Sequence, residues 1–185
     1  MSEEQLIRHC APTLACLKTG NLVACTYASQ DEMLKSIRRY NRRFTAKGLR
    51  FVPLRSDGGK ALIYVYRPAL LEKDLSKAAA GALLHSCGYR CKSANHCVRC
   101  LRERCSKSGE DFPHEIGLFL SYPPTDVYGF IHHRNKARYS GAWKVYGNVA
   151  QARKTFARYK KCTDTYMRLW QGGRSAERLT VKGGR

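Results

Sequence analysis

Seven thiol and imidazole side chains fall within residues 85–105: His85, Cys87, Cys91, His96, Cys97, Cys100 and Cys105. Thiolates and neutral imidazoles hold structural zinc, and thiolates alone hold iron–sulfur clusters, so Cys87, Cys91, Cys97 and Cys100 are candidate metal ligands. The spacing is incomplete for that chemistry. Only Cys97-x-x-Cys100 is a standard short pair, whereas a structural zinc site joins two such pairs across a loop. On the plainer reading, Val98, Leu101 and Cys105 form the buried face of a helix, with cysteine serving as a small hydrophobe.

Two further stretches carry reactive residue types. In Arg8-His9-Cys10-Ala11-Pro12-Thr13 an imidazole adjoins a thiol, a pairing that can lower the thiol pKa and make a nucleophile. Neighbours on a helix point apart, and Pro12 would end or reset a helix there. The pair therefore has either a structural role or a place on a turn whose backbone groups are free for a ligand. In Phe112-Pro113-His114-Glu115-Ile116-Gly117, Pro113 places His114 and Glu115 at the start of a short helix, and Pro124 predicts a second with Asp126 in its first turn. Neutral imidazole is favoured at a helix N-terminus and can ligate metal or act as a base, while Glu115 either joins it or complements the helix dipole. His9, Cys10, His114 and Glu115 are thus the candidate catalytic residues.

The elements that must position these groups are visible in the pattern. Ser29 and Glu32 have capping-box spacing, and Met33, Ile37, Tyr40 and Phe44 then recur at helical steps up to Gly48, with Lys35, Arg38, Arg39, Arg42 and Arg43 on the other faces. Val149, Ala152, Phe156, Tyr159, Thr163, Tyr166 and Trp170 predict a long helix closed by Gly172-Gly173. Residues 49–54 and 61–66 flank Ser56-Asp57-Gly58-Gly59 and read as a β-hairpin, with further strands at 22–27 and 143–146. Pro68 opens one helix, and Ser76 is placed to cap another running to Gly88. The fold class is α+β: a small, mainly antiparallel sheet packed against several amphipathic helices, including a long C-terminal one. One domain over 1–181 is expected, with 182–185 a flexible basic tail.

Composition bounds the function. The chain has 185 residues, 43% of them hydrophobic, which is enough for a core without a staple. No run approaches the roughly 20 apolar residues that cross a bilayer. The start, Met1-Ser2-Glu3-Glu4, is acidic where a secretory leader would be basic, so a cytoplasmic location is expected. Nine cysteines there read as thiols, metal ligands or redox groups before disulfides. A net charge of +20 attracts anionic partners, and it is concentrated on either side of a net-acidic island at 111–130. No catalytic class follows from composition, and no cofactor is specified.

Three blocks together carry a family resemblance. They are Arg8-His9-Cys10-Ala11-Pro12-Thr13-Leu14 with Lys18-Thr19-Gly20, then Phe112 to Gly117 with Tyr122-Pro123-Pro124 and Asp126 to Ile131, and Trp143-Lys144-Val145-Tyr146-Gly147. From about residue 4 to about residue 181 the chain resembles the bacterial family called domain of unknown function 3793. The resemblance implies no established activity; genes of that family often lie near flavodoxin and iron-uptake genes. The chain departs from the family at Cys16, where glycine is usual, and at Ala142, where cysteine is usual, so no metal or redox role for a cysteine before Trp143 transfers here. The five-cysteine stretch stands outside the family pattern.

The favoured expectation is an accessory protein or enzyme of redox or iron metabolism that binds an anionic ligand or an acidic partner such as flavodoxin. Lys18, Thr19, Trp143, Lys144 and Tyr146 would hold that ligand, the lysines on its anionic groups and the aromatics on a flat face. His9-Cys10, His114-Glu115 and Trp143-Lys144 are expected to converge on one concave site. The alternatives are a nucleic-acid-binding module, with Tyr40, Phe44, Tyr159 and Trp170 interleaved among basic residues of the two helices, and a structural adaptor without ligand.

Overall fold

The hairpin expected from the sequence supplies the central strand of the sheet and one of its edges. Strands β2 (Arg50–Asp57) and β3 (Lys60–Tyr66) pair antiparallel through Gly58 and Gly59. Their φ values of +53° and +74° demand residues without a Cβ, as in a turn matched to strand twist. β1 (Gly20–Thr26) pairs antiparallel with the other side of β3, giving the order β1-β3-β2. β2 shifts register between Pro53 and Arg55, and Pro53 is tolerated because β2 is an edge strand. This computed structural model describes residues 1–107 and 112–183.

Alternation along β3 sends its side chains to two separate cores. Ala61, Ile63 and Val65 face α1 (Glu3–Leu14) and α2 (Gln30–Phe44), while Tyr64 and Tyr66 face α3 (Pro68–Leu75), α4 (Ala78–Ser86), α5 (Ala94–Ser106), α6 (Ile116–Phe119) and α7 (Pro124–His132). The architecture is α+β, with helices on both faces of a three-stranded antiparallel sheet. In α2 the expected stripe is the buried face: Met33, Ile37, Tyr40 and Phe44 are all in the core. The Ser29 hydroxyl accepts from the Glu32 N–H, and Asn41 exchanges two hydrogen bonds with the Phe51 backbone, tying α2 to the free edge of β2.

Beyond α7, a two-residue pair of β4 (Tyr139–Ser140) and β5 (Lys144–Val145) precedes α8 (Val149–Gln171), which packs on α1, and the short α9 (Ala176–Leu179). α8 rests on the protein along one side only, so most of its predicted stripe is half-buried and only Ala152 is fully covered.

Several local expectations need correction. Lys77, not Ser76, is the N-cap of α4, and its side chain makes no capping bond. The helix expected after Pro113 starts only at Ile116 and spans one turn. Pro12 lies inside α1, which continues to Leu14; its carbonyl accepts from the N–H groups of Leu17 and Lys18, so this backbone is not free for a ligand. Of the stretch after 180, the Val181 N–H donates to the Leu14 carbonyl and the Gly183 N–H to that of Lys47. Residues 184–185 of the expected basic tail lie outside the described residues.

Candidate functional site

An aromatic cavity of about 220 Å³ opens between the α6–α7 segment and the β4–β5 hairpin. Trp143 and Tyr122 form a stacked pair, with ring centroids 4.7 Å apart and planes inclined by 26°. Phe130 and His114 meet edge to face at 4.9 Å on another wall, and Phe112, Ile116 and Val127 complete the apolar lining. Phe156 of α8 sets its edge against Trp143 from outside, at 4.4 Å and 84°. Such rings offer flat faces and positive edges to a planar guest.

Asp126 holds this arrangement in place. It is 3% exposed; one carboxylate oxygen accepts the backbone N–H groups of Tyr146 and Gly147, and the other accepts the Trp143 indole N–H, all at 2.8 Å. Three donors absorb the charge of a buried carboxylate that has no cation in contact with it among the described residues. The Tyr146 ring packs over Gly129 so closely that a Cβ there would fall inside it. The Tyr146 hydroxyl donates to the Arg134 carbonyl.

The rim is cationic. Lys144 is exposed, with its ammonium 5.7 Å from the centroid of the Phe130 ring. Arg134 donates to Nε2 of His114 at 2.7 Å. Because a guanidinium only donates, Nε2 is the acceptor in this bond and its lone pair is occupied. From residue 127 to residue 163 the chain has no acidic residue and nine Lys and Arg.

The structure brings some of the expected site residues together and separates others. His114, Trp143 and Lys144 line the cavity, with Tyr146 packed behind it on α7. Lys18 lies next to it: its ammonium is 5.3 Å from the ring centroid of Tyr122 and 5.8 Å from that of Tyr159. Thr19 is buried, its N–H bonded to the Ser121 hydroxyl and its own hydroxyl donating to Asp74, so its polar groups are spent internally. Glu115 turns the other way, accepting from Arg104 at 2.8 Å and from the Tyr89 hydroxyl at 3.1 Å. Cys10 is fully buried, and burial pushes its thiol far above the usual range; His9, next to it on α1, faces solvent. The His9-Cys10 pair thus diverges on a helix and lies outside the cavity, so two of the three blocks share it directly.

Residues that the sequence reading passed over include Asp126 as an anchor, along with Tyr122, Phe130 and Arg134. One signal was present: Asp126 is followed by no other acid until Asp164, which is unusual company for a carboxylate with no internal duty. Among the candidate metal ligands, the Cys91 thiol meets those of Cys97 and Cys100, while Cys87 lies toward Glu115. Among the described residues, no three His, Cys, Asp or Glu side chains are grouped to hold a metal ion. No helix among those residues is long and apolar enough to cross a membrane.

Lys18 yields a pH prediction. At 7% exposure, burial lowers its pKa from 10.5 to about 8, against a smaller opposing effect of Cys10. Between those two values the unfolded chain holds a proton that the folded chain has released, so the stability penalty from Lys18 is full below pH 8 and disappears as pH rises through 10.5. The stability of the protein relative to Lys18→Met should therefore improve as pH is raised across that window. Thermal unfolding of both proteins in parallel reads this, since the buried thiols and tyrosines titrate in each and cancel. A difference that does not change with pH would place the ammonium in water.

One family model matches the chain, described as "Protein of unknown function (DUF3793)", over residues 6–180. No curated protein and no solved structure matches it.

Proposed function

The chain belongs to the DUF3793 family, and on that premise, which brings no activity with it, we propose that the protein binds a flat, anionic small molecule in the aromatic cavity. The observation that carries this reading is the stacked Trp143–Tyr122 pair beside Lys144, with Arg134 bonded to the His114 wall and no acidic residue from 127 to 163. The rings supply apolar area and stacking, and the cations supply a place for a carboxylate or phosphate. The ligand would be held in a cytoplasmic setting, where nine free thiols persist.

A second reading, an acidic protein partner such as flavodoxin in a redox or iron context, is favoured by the +20 charge through electrostatic steering. The nucleic-acid reading is weakened at α2, because Tyr40 and Phe44 are 3% and 0% exposed and cannot stack on bases.

Titration with 2-naphthoate, followed by the indole N–H resonance of Trp143 in a nitrogen-15 spectrum, tests the proposal. The resonance should shift, with an affinity that falls as salt is added, and the neutral 2-naphthamide should bind several-fold more weakly. Equal binding of acid and amide would remove the anionic part of the proposal, and an unmoved Trp143 signal would remove the site.

A further inference from the structure

Three thiols meet away from the aromatic cavity. Cys97 and Cys100 lie one turn apart on α5, and Cys91, in the segment before that helix, shares a cavity wall with Cys97 and has its thiol turned toward both. Cys97 is buried, whereas Cys91 and Cys100 are half-buried and open to small reagents. Cys91 and Cys97 also line a cavity of about 440 Å³ between α4 and α5, with Arg90, Lys92 and His85 on its walls. The acid of that cavity, Glu72, uses one carboxylate oxygen to accept the Ala94 N–H at the start of α5. A thiol centre, a space to hold a small molecule and two cations on the cavity wall, next to Cys91 in the chain, thus coincide.

We propose that Cys91 is a thiol-exchange site for an anionic low-molecular-weight disulfide, and that a thiol of α5 resolves the adduct. The Cys91 thiolate attacks one sulfur of the small disulfide, whose S–S bond breaks; one half leaves as a thiolate and takes up a proton. Arg90 and Lys92 hold the carboxylates of the half that remains attached. Cys97 or Cys100, as thiolate, then attacks the Cys91 sulfur, forming the internal S–S bond and releasing the second half as a thiol. Two protein thiols are oxidised and one small disulfide is reduced to two thiols. The product ties the 87–93 segment to α5 and fixes the wall of the cavity. Burial holds all three thiols up, so little thiolate is present at neutral pH and the site works as a slow switch and not as a turnover catalyst.

The test incubates the full chain with oxidised glutathione, blocks free thiols by alkylation, digests without reduction and maps the peptides by mass spectrometry. The dominant crosslink should join Cys91 to Cys97 or Cys100. Cys91→Ser should lose both that crosslink and the glutathione adduct at this site, whereas the Cys97→Ser/Cys100→Ser double variant should retain glutathione as an unresolved adduct on Cys91. Adducts spread evenly over Cys16, Cys87 and Cys162, a crosslink that survives Cys91→Ser, or no reaction at all would each overturn the proposal. If a variant does not fold, the wild-type map decides alone.

Discussion

Arg67→Met should cost the protein about 3–5 kcal/mol of stability, the largest loss expected from any single substitution outside the apolar core. Arg67 is 2% exposed and touches no carboxylate among the described residues; its guanidinium donates to four carbonyls, those of Thr13 at 2.6 Å, Leu14 at 2.7 Å, Val181 at 2.8 Å and Lys47 at 3.0 Å. Thr13 and Leu14 are the last residues of α1, whose carbonyls have no partner within the helix and carry its negative dipole end. The cation is thus neutralised by oriented backbone; a methionine of similar length would remove all four of its bonds, leaving Thr13, Leu14 and Lys47 with the backbone N–H groups of Cys16, Val181 and Gly183 and taking the guanidinium from Val181. Lysine, with a compact ammonium in place of a fork, should recover part of the loss. Urea unfolding of the three proteins reads the effect, and a loss under about 1 kcal/mol for the methionine variant would mean that these bonds contribute almost nothing net.

The second large effect is at Asp126, where two substitutions separate stability from binding. Asp126→Ala leaves the Tyr146 and Gly147 N–H groups and the Trp143 indole without their acceptor, and about 3 kcal/mol should be lost together with the cavity. Asp126→Asn can keep its oxygen on the two backbone donors, but then turns an NH2 against the indole N–H. That variant should lose less stability, about 1–2 kcal/mol, yet release Trp143 from its stack on Tyr122 and lose 2-naphthoate binding. Tryptophan emission and the naphthoate titration measure the two losses independently. Unchanged binding in the asparagine variant would show that the indole is held by Tyr122 and Phe156 alone.

What the sequence made legible was whatever one element encodes by itself. The α2 stripe and the Gly58-Gly59 hairpin are local patterns that tertiary packing had no reason to override, and both are present as read. Arg67 was invisible because its four partners come from residues 13, 14, 47 and 181, which no local period connects. At the site, residue type alone pointed to His114, Trp143 and Lys144. It could not tell that Glu115, one residue from His114, turns to Arg104 on the opposite side. The strand expected at 143–146 is confined to Lys144–Val145 because Asp126 claims the Tyr146 N–H and the Trp143 indole. Ring faces and cations that converge from α6, α7 and the hairpin are likewise a property of the assembled chain.

The stitching of residues 176–183 onto α1 and the Arg67 guanidinium bears on when the protein can finish folding during synthesis. α1 is made before the other described elements and packs one side on the sheet, but its other side is covered by α8 and α9, and its terminal Leu14 carbonyl bonds to the Val181 N–H. Until those late residues leave the ribosome, the nascent chain can hold a hairpin with α2 beside it, but α1 has nowhere to dock its outer side. Contacts between the two ends of a chain close the largest loops and come late and slowly. Completion must therefore follow the emergence of residues up to Gly183, and α1 is the segment most in need of a chaperone's cover while it waits.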